Sequence, residues 1–360
     1  MAAVVDLSKV DTSDPLVNRH IEKSQIRVED IEVSKILVHP IKSFRGTSVT
    51  EASYTPQGIQ YDRDWCIIDT ETHAVLTARD LATTVLVTPR IEVDASLPYG
   101  GLLVVDVPKD PESKSGGCDS FSVPLRPTPD MLKTWPHFSD IVLLKKYPVD
   151  GYVVQPLNPS EPSPHDILSR YFNRKVLLTM KGPQARLAVG TPVFATLSDV
   201  TVKYQDGYPL SIASEESVEA VNAALYRAVS ATDDPSDPNR VAGLKKEKWH
   251  DRKLYIERFR PNIVFKGAGV PFAEDLWREI VIGDNDTSVT VLGRCDRCLL
   301  PNVDEKTADR DTAVPYKVML KFGKDAGHKP MLACNAGMNG NGVFRVGDRV
   351  VVKRWIEQVV

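Results

Sequence analysis

The sequence contains no apolar run of the roughly 18 residues that a membrane-spanning helix needs, which argues against an integral membrane span. It also lacks a strong charge of either sign: the net charge is -3 and the pI is near 6.2, so we expect no nucleic-acid partner. Residues 1–27 have neither the hydrophobic core of a signal peptide nor the acid-poor composition of a transit peptide. We therefore expect residues 1–30 to be a polar leader on a cytoplasmic protein, with an organelle signal as the open alternative.

Cysteine is sparse, and the five cysteines form an odd set, which indicates reduced thiols and not a disulfide framework. Only Cys295 and Cys298 are close in sequence. A second C-x-x-C and a finger-spaced histidine pair are both missing, so the four ligands of a structural zinc site are incomplete. A thioredoxin-like pair normally opens a helix, whereas this one follows the strand-like residues 288–292. Two buried thiols, a redox pair and a metal ligand all remain open at this point.

Short alternating or β-branched segments predict that most of the chain forms strands. The clearest are Glu32–Val38 and residues 65–68, 83–87, 101–107 and 121–125. Helices are predicted at Pro164–Phe172 and at residues 214–225, where Ser214 can cap the first turn. Four prolines make residues 151–164 a loop or domain seam, and residues 233–239 form another loop. We expect a β-rich α+β protein, with a smaller β domain over residues 31–160 and a barrel-like domain over residues 161–360.

Arginines flank the two neighbouring thiols. Arg294 and Arg297 lie beside Cys295 and Cys298, and positive charge favours the thiolate form that binds metals. Thiolate is a soft ligand that suits transition metals. One thiolate among arginines therefore fits an anionic metal cofactor that brings most of its own ligands.

Residues 293–304, with Cys-x-Arg-Cys followed by Val-Asp, resemble the signature of the amidoxime-reducing branch of the MOSC superfamily. Residues 39–43 fit that family's Pro-hydrophobic-Lys-Ser motif, and residues 61–65 fit its Asp-Arg-x-Trp motif. Residues 259–264 fit its Arg-Pro-Asn motif, with further agreement at residues 272–277 and 345–348. The resemblance thus runs in order from about residue 32 to residue 356.

The resemblance implies an N-terminal MOSC-type β domain, a C-terminal MOSC β-barrel-like domain with few helices, and a molybdenum cofactor, molybdopterin carrying the metal. Cys298 would supply the protein sulfur to molybdenum, and Cys295 would be a non-ligand thiol. Lysine and arginine suit the cofactor phosphate, and an amide such as Asn262 suits the pterin edge. The implied cofactor contacts are Lys42, Ser43, Arg63, Arg260, Asn262, Asp296, Arg297, Cys298 and Asn335. Asp304 is the candidate catalytic proton donor, with bound water as the alternative.

The function that this resemblance implies is reduction of N-hydroxylated small molecules, such as amidoximes and hydroxylamines, to the N-reduced product and water. The sequence shows no flavin, haem or iron–sulfur motif, so the electrons would come from another protein, in eukaryotic relatives cytochrome b5 with its flavin reductase. The basic residues 245–248 are either a solvated face or a landing patch for that donor.

Two alternatives to this enzymatic function remain. One is a non-catalytic cofactor carrier or sulfur-handling protein, because a MOSC domain also ends the molybdenum-cofactor sulfurases. Those enzymes have a pyridoxal-phosphate domain upstream, and about 30 residues before the first motif leave no room for it, so we expect no pyridoxal phosphate. The other is a structural zinc module.

The sequence departs from the family pattern at two places. Where the family has hydroxyl residues that reach the cofactor phosphate, residues 206–209 read Asp-Gly-Tyr-Pro, so main-chain N–H groups would substitute. Where the family has Phe-Gly-Gln near the metal, residues 332–335 read Leu-Ala-Cys-Asn. Cys334 is then either a second thiol near the site or a packing residue.

Overall fold

The computed structural model describes residues 21–110, 117–158, 160–189, 200–284, 286–322 and 329–356. Most of the expected leader, residues 1–20, lies outside these ranges. Within the described ranges, no helix combines the length and hydrophobicity required to span a bilayer. Residues 21–31 pack on the rest of the protein through the buried side chains of Ile21, Ile26 and Ile31.

The described chain is rich in strands and has few helices, which confirms the predicted fold class. The strands of the first half are β1 Glu32–Val38, β2 Thr47–Val49, β3 Glu51–Thr55, β4 Gly58–Ile59, β5 Trp65–Asp69, β6 Val75–Leu76, β7 Thr88–Val93, β8 Gly101–Pro108, β9 Cys118–Pro124, β10 His137–Leu143, β11 Tyr147–Val153 and β12 Val176–Lys181. Those of the second half are β13 Leu210–Ser214, β14 Ile263–Lys266, β15 Trp277–Ile282, β16 Val289–Asp296, β17 Met331–Met338, β18 Gly342–Arg345 and β19 Val350–Trp355.

Helices are short, apart from α3. They are α1 Pro129–Thr134, α2 Pro164–Phe172, α3 Glu215–Ser230, α4 Lys246–Trp249 and α5 Tyr316–Met319. The helices α2 and α3 begin where the sequence predicts, because Ser163 and Ser214 accept capping hydrogen bonds from main-chain N–H groups of the first turn. Short 3-10 turns include Ala82–Leu86, Ile256–Phe259 and Leu300–Asn302.

The two halves of the chain share their sheets. An eight-stranded sheet has the order β19-β15-β16-β17-β13-β14-β1-β2, so the first two strands of the chain complete the sheet of the second half. Its β13 and β14 are parallel and are connected through α3, whereas the other neighbours are antiparallel. A five-stranded sheet has the order β10-β11-β12-β5-β6, and it takes β12 from beyond residue 160. This interlocking brings loops from both halves to one place.

Two local predictions differ from the structure. Residues 83–87, predicted as a strand, lie mostly in the 3-10 turn Ala82–Leu86, and β7 starts only at Thr88. The Thr84 hydroxyl donates to the Leu81 carbonyl at 2.8 Å, a local bond that competes with a strand ladder. Residues 151–153, predicted as loop, end β11, where Gly151 pairs with Phe138 and Lys181.

Candidate functional site

A cavity of about 370 Å³ opens where loops of both halves meet, and all nine predicted cofactor contacts line it. It is lined by Lys42, Ser43, Arg63, Thr77, Arg79, Gln205, Asp206, Gly207, Tyr208, Leu210, Ser211, Phe259, Arg260, Asn262, Cys295, Asp296, Arg297, Cys298, Leu300, Lys329 and Asn335. Asp304 is not among these residues. Motifs more than 190 positions apart in the sequence are therefore neighbours in the fold.

Three of the residues that line the cavity have unusual backbone conformations. Ser43, Arg63 and Arg260 have positive φ angles of 69°, 54° and 58°, the left-handed region that side chains other than glycine seldom adopt. Such conformations persist only where the surrounding structure enforces them, and they concentrate at functional sites. Here the enforcement is visible, because the Arg63 N–H donates to the His39 carbonyl at 2.8 Å and the Arg260 N–H donates to the Glu257 carbonyl at 3.0 Å.

A buried carboxylate ties the three cavity loops together. Asp62 accepts hydrogen bonds from the His39 N–H at 2.8 Å, from the Asn262 side-chain amide at 3.0 Å and from the Arg63 guanidinium at 2.6 Å. Burial on its own would raise the pKa of Asp62, but the charge of Arg63 and these hydrogen bonds lower it to about 2. Asp62 is thus an ionised anchor that fixes the orientation of Arg63.

Asn262, predicted to contact the cofactor, also connects strands and loops of the protein. Its side-chain oxygen accepts from the Ser211 N–H at 3.1 Å, and its amide nitrogen donates to the Leu37 carbonyl at 3.2 Å as well as to Asp62. Because both amide hydrogens have acceptors in the protein, only its oxygen keeps a free lone pair for a ligand. Its contact with a cofactor stays a prediction.

Cations outnumber carboxylates in the cavity lining by six to two. Lys42 forms an ion pair with Asp206 and donates to the Tyr204 carbonyl at 2.7 Å. The side chain of Asp206 is 61% exposed, and the charges of Lys42 and Arg79 hold the pKa of its carboxyl well below its usual range. Burial and the nearby Arg63 charge lower the pKa of Arg260 to about 9. Positive charge this poorly compensated favours an anionic ligand.

Two polar atoms in the lining have no hydrogen-bond partner in the described structure: Ser211 Oγ and Arg297 Nε, both buried. Buried polar atoms are normally satisfied, so each needs a ligand or water. The donor set of six cations, Ser43, Ser211 and an unsatisfied guanidinium nitrogen suits a ligand that ends in a phosphate and presents polar ring edges. The residues present therefore fit the cofactor that the sequence predicts.

The two thiols of the C-x-x-C segment have separate arginine partners. Cys298 Sγ accepts from Arg79 Nη2 at 3.1 Å and lies 3.4 Å from the Leu300 N–H. Cys295 Sγ accepts from Arg297 Nη1 at 3.3 Å, yet burial raises its pKa. Cys298 is half-buried at the cavity and accepts its hydrogen bond from a charged guanidinium.

Sequence reasoning missed several lining residues, of which Arg79 is the most important. Arg294, expected to act on the thiols, is exposed, whereas Arg79 reaches Cys298 from a loop 219 positions away. Thr77 and Lys329 were also missed. None of these residues belongs to a recognised motif, so no sequence signal pointed to them.

The structure does not bring the predicted proton donor Asp304 to the cavity. Its Oδ2 accepts from Arg252 at 2.6 Å and from Arg258 at 3.0 Å, while Oδ1 accepts from the Lys306 and Thr307 N–H groups. Burial alone would raise the pKa of Asp304, but the Lys306 N–H and the two arginines lower it overall. A carboxylate held ionised outside the cavity anchors its loop and is not placed to deliver a proton.

Of residues 332–335, where the sequence departs from the family pattern, one lines the cavity. Along β17, Asn335 lines the cavity, whereas Cys334 is buried on the other side, 3.5 Å from the Glu274 carbonyl and 3.4 Å from Asp275. Successive strand residues point to opposite faces, which explains the difference. Of the two roles considered for Cys334, packing is the one that the structure supports.

The basic residues 245–248 and the arginines that follow are largely paired within the protein. Lys246 contacts Asp233 at 2.9 Å, Lys248 lies 3.6 Å from Asp311, and Arg252 is bound to Asp304. Charges compensated in this way contribute little to steering a partner. Two of the three lysines in this segment are therefore compensated by carboxylates of the same chain.

Fold and site together define a class: a β-rich protein whose two halves share a cation-lined cavity with a half-buried thiol. Residues 30–134 match the MOSC N-terminal beta barrel domain, and residues 199–351 match the MOSC domain. The two matches together span more than half of the chain, which belongs to the MOSC-domain proteins, as its motifs predict.

Three relatives show where the chain lies within this family. It is 28% identical to mitochondrial amidoxime-reducing component 1 of Mus musculus, covering 88% of this chain and 81% of that protein. It is 27% identical to mitochondrial amidoxime reducing component 2 of Rattus norvegicus, covering 81% of this chain and 72% of that protein. It is also 28% identical to the molybdenum cofactor sulfurase of Danio rerio, over 89% of this chain but only 34% of the sulfurase. The chain thus spans about a third of the sulfurase.

Proposed function

We propose that the protein binds the molybdenum cofactor in this cavity through Cys298 and reduces N-hydroxylated small molecules with electrons from a separate protein. The observation that supports it most is the Cys298 thiol, 3.1 Å from the Arg79 guanidinium, in a cavity with six cations. A soft thiolate at one point and phosphate-binding groups elsewhere are what this anionic cofactor requires. The names of the mouse and rat relatives refer to the reduction of amidoximes.

In this proposal, residues from both halves of the chain bind the anionic end of the cofactor. Lys42, Ser43, Arg63 and Arg260 would hold the anionic end of the cofactor, with Ser211 Oγ supplying a further donor. Asp62 keeps Arg63 aimed at the cavity and Asn262 joined to the same loops. Because the halves of the chain contribute different groups, binding requires both.

The protein groups near Cys298 would bind and orient the cofactor and exchange protons with water. When bound, the cofactor supplies the two-electron redox chemistry that takes oxygen from the N–O group. Arg79 donates a charged hydrogen bond to the Cys298 sulfur and holds it at the cavity. Both carboxylates in the lining are exposed, but Asp206 is held ionised by two cations, Lys42 and Arg79, whereas Asp296 pairs with Lys329 at 2.5 Å. We therefore assign proton exchange with water to Asp296, in place of Asp304.

The electron donor in this proposal is cytochrome b5 with its flavin reductase. The MOSC family assignment is compatible with such a donor, and the two amidoxime-reducing relatives are each named a component. We propose a cytoplasmic location, and the word mitochondrial in those names makes the mitochondrion the alternative to test by imaging of the tagged full chain.

The test uses protein purified from a host that makes the cofactor, with molybdenum and pterin measured first. Given a chemical reductant, the protein should convert benzamidoxime to benzamidine, and Cys298→Ser should not. A chemical reductant removes the donor as a variable. Cytochrome b5 and its reductase are then added in a separate assay, where a salt-sensitive rate would support a charge-steered encounter.

The second candidate is a cofactor carrier or sulfur-handling protein. What favours it is the match to the sulfurase, as high in identity as that to the mouse amidoxime-reducing component. A molybdenum-replete protein that reduces no N-hydroxylated compound with chemical electrons, yet passes its cofactor to an apoenzyme, would establish this second function instead.

A further inference from the structure

A second cavity, of about 440 Å³, adjoins the first and shares Arg260 and Leu300 with it. Apart from Arg260, none of the nine predicted cofactor contacts lines it. Its apolar walls come from Leu37 on β1, from Val85 in the turn after β6, and from Leu300 and Val303 in the segment after Cys298. A cavity of this size with mainly apolar walls and a few polar groups is typical of small-molecule sites.

The charges around this second cavity do not cancel. Arg258 pairs with Glu305 at 2.9 Å, and Glu257 pairs with Lys35 at 2.7 Å, so both acids of the lining are compensated. Arg45 and Lys306 form no ion pair with any residue in the described part of the chain. Among the described residues, the Arg45 guanidinium donates to the main-chain carbonyls of Val85 and Glu305 and to no other group. The Lys306 ammonium lies 5.3 Å from the Tyr255 ring centroid.

An unsatisfied buried side chain lines the same cavity. The His39 imidazole is 2% exposed, and its Nδ1 atom has no hydrogen-bond partner among the described residues. The nearest carboxylate oxygen, on Asp62, is 3.7 Å away. Burial, then the charges of Arg63 and Arg260, lower the pKa of His39 well below its usual value, so the ring is neutral and can serve as donor or acceptor.

We propose that this second cavity is a separate binding site for an organic carboxylate with an apolar body, such as an aryl-alkyl monocarboxylic acid. The carboxylate would accept from Arg45 and lie in the field of Lys306, while the apolar body packs on Val85, Leu300 and Val303. Arginine suits this ligand because its planar fork matches a carboxylate. The site does not depend on the function proposed for the first cavity.

The test is isothermal titration of the cofactor-loaded protein with 4-phenylbutyrate and with its uncharged amide, 4-phenylbutyramide. The acid should bind about tenfold more tightly than the amide, the usual effect of one hydrogen-bonded charge. Arg45→Met should weaken binding of the acid about tenfold. Lys306→Met should weaken it by about threefold, because solvent screens an exposed ammonium. Each substitution should change the affinity for the amide less than it changes the affinity for the acid.

Lys253→Met is the matched control, since Lys253 lies over the Tyr255 ring at 5.4 Å but does not line the cavity. It should leave the affinity for the acid unchanged. Lys306→Met keeps the test valid if Arg45→Met fails to fold, because the Lys306 side chain forms no hydrogen bond within the described structure. Equal affinities for acid and amide, no binding at millimolar acid, or loss of molybdenum on adding the acid would each overturn the proposal.

Discussion

The Nη2 atom of Arg79 lies 3.1 Å from the sulfur of Cys298, although 219 positions separate the two residues in the chain. The contact joins the loop after β6 to the segment after β16, and so connects the two halves at the thiol. It is the contact most directly tied to the reactivity of Cys298.

Removing Arg79 should therefore slow the reaction of Cys298 with iodoacetamide. Arg79→Met takes away a charged donor to the thiolate, and since Arg79 is partly exposed we expect a decrease of about threefold to tenfold at pH 7. Apoprotein is alkylated and the rate at Cys298 is followed by mass spectrometry, with exposed Cys118 as the internal reference. Arg294→Met, at an exposed position in the same motif, should leave the rate unchanged; an equal decrease in that variant would contradict the role of Arg79.

The two thiols of the C-x-x-C segment should respond differently to substitution. Cys298→Ser should abolish benzamidoxime reduction and remove the protein sulfur from the molybdenum coordination shell, because a hydroxyl is a poor ligand for a soft metal. Cys295→Ser should keep metal and much of the activity, since its thiol is bound to Arg297. X-ray absorption at the molybdenum edge measures the sulfur count, and the opposite pattern in the two variants would refute the assignment of the ligand.

Lys42 should be required to retain the cofactor. Lys42→Met removes a buried ammonium from the cavity, and we expect cofactor affinity to fall about tenfold, the effect of one charge-assisted contact. Molybdenum and pterin per protein are the readouts. Lys203→Met is the matched control, because Lys203 also pairs with a carboxylate, that of Asp64, but does not line the cavity. Full occupancy in Lys42→Met would mean that the first motif is structural only.

Site residues that belong to short sequence motifs could be predicted, whereas those that depend on contacts between distant parts of the chain could not. Residues 39–43, 61–65 and 259–264 were recognised because each is a short motif, and the structure brings all three to one cavity. Arg79 could not be found, because its partner is fixed by strand order in the shared sheets and not by neighbouring residues. Local pattern failed in the same way at residues 83–87, where β-branched side chains form a turn.

Stability should fall with rising pH because of Glu274. This side chain is fully buried, where it accepts hydrogen bonds from Ser214 and Ser217, and burial, helped by Asp275, raises its pKa to about 7. In the unfolded chain a glutamate titrates near pH 4.3. The difference between this pKa and the folded one corresponds to about 4 kcal/mol of stability that is lost as the pH rises. Between these two values the folded protein holds a proton that the unfolded chain has lost, so raising the pH lowers stability.

Glu274→Gln should remove this pH dependence. Urea unfolding at several pH values between about 4 and 8 gives the free energies, and the difference between wild type and variant isolates this one group. The exposed Glu219 on α3 supplies the control Glu219→Gln, which should follow the wild-type curve. Parallel curves for wild type and Glu274→Gln would mean that Glu274 is ionised throughout.

The last prediction separates the role that sequence reasoning gives Asp304 from the role that the structure gives it. As a catalytic proton donor, Asp304 would be needed for turnover and dispensable for folding. The structure instead places it outside the cavity, bound by Arg252 and by Arg258, whose side chain is only 4% exposed. Among the described residues, Asp304→Asn leaves Glu305 as the one carboxylate paired with the buried Arg258 charge. Breaking a buried pair of this kind costs about 3 kcal/mol.

We therefore expect Asp304→Asn to lower the free energy of unfolding by about that amount while the rate of benzamidoxime reduction per bound molybdenum stays unchanged. Asp296→Asn should do the reverse. Asp296 is exposed and lines the cavity, so its loss should leave stability within about 0.5 kcal/mol and slow turnover at least about tenfold. Urea unfolding and a chemically driven assay measure the two quantities on the same preparations. A stable Asp304→Asn protein without activity would return the proton-donor role to Asp304, because loss of turnover could not then be ascribed to loss of the fold.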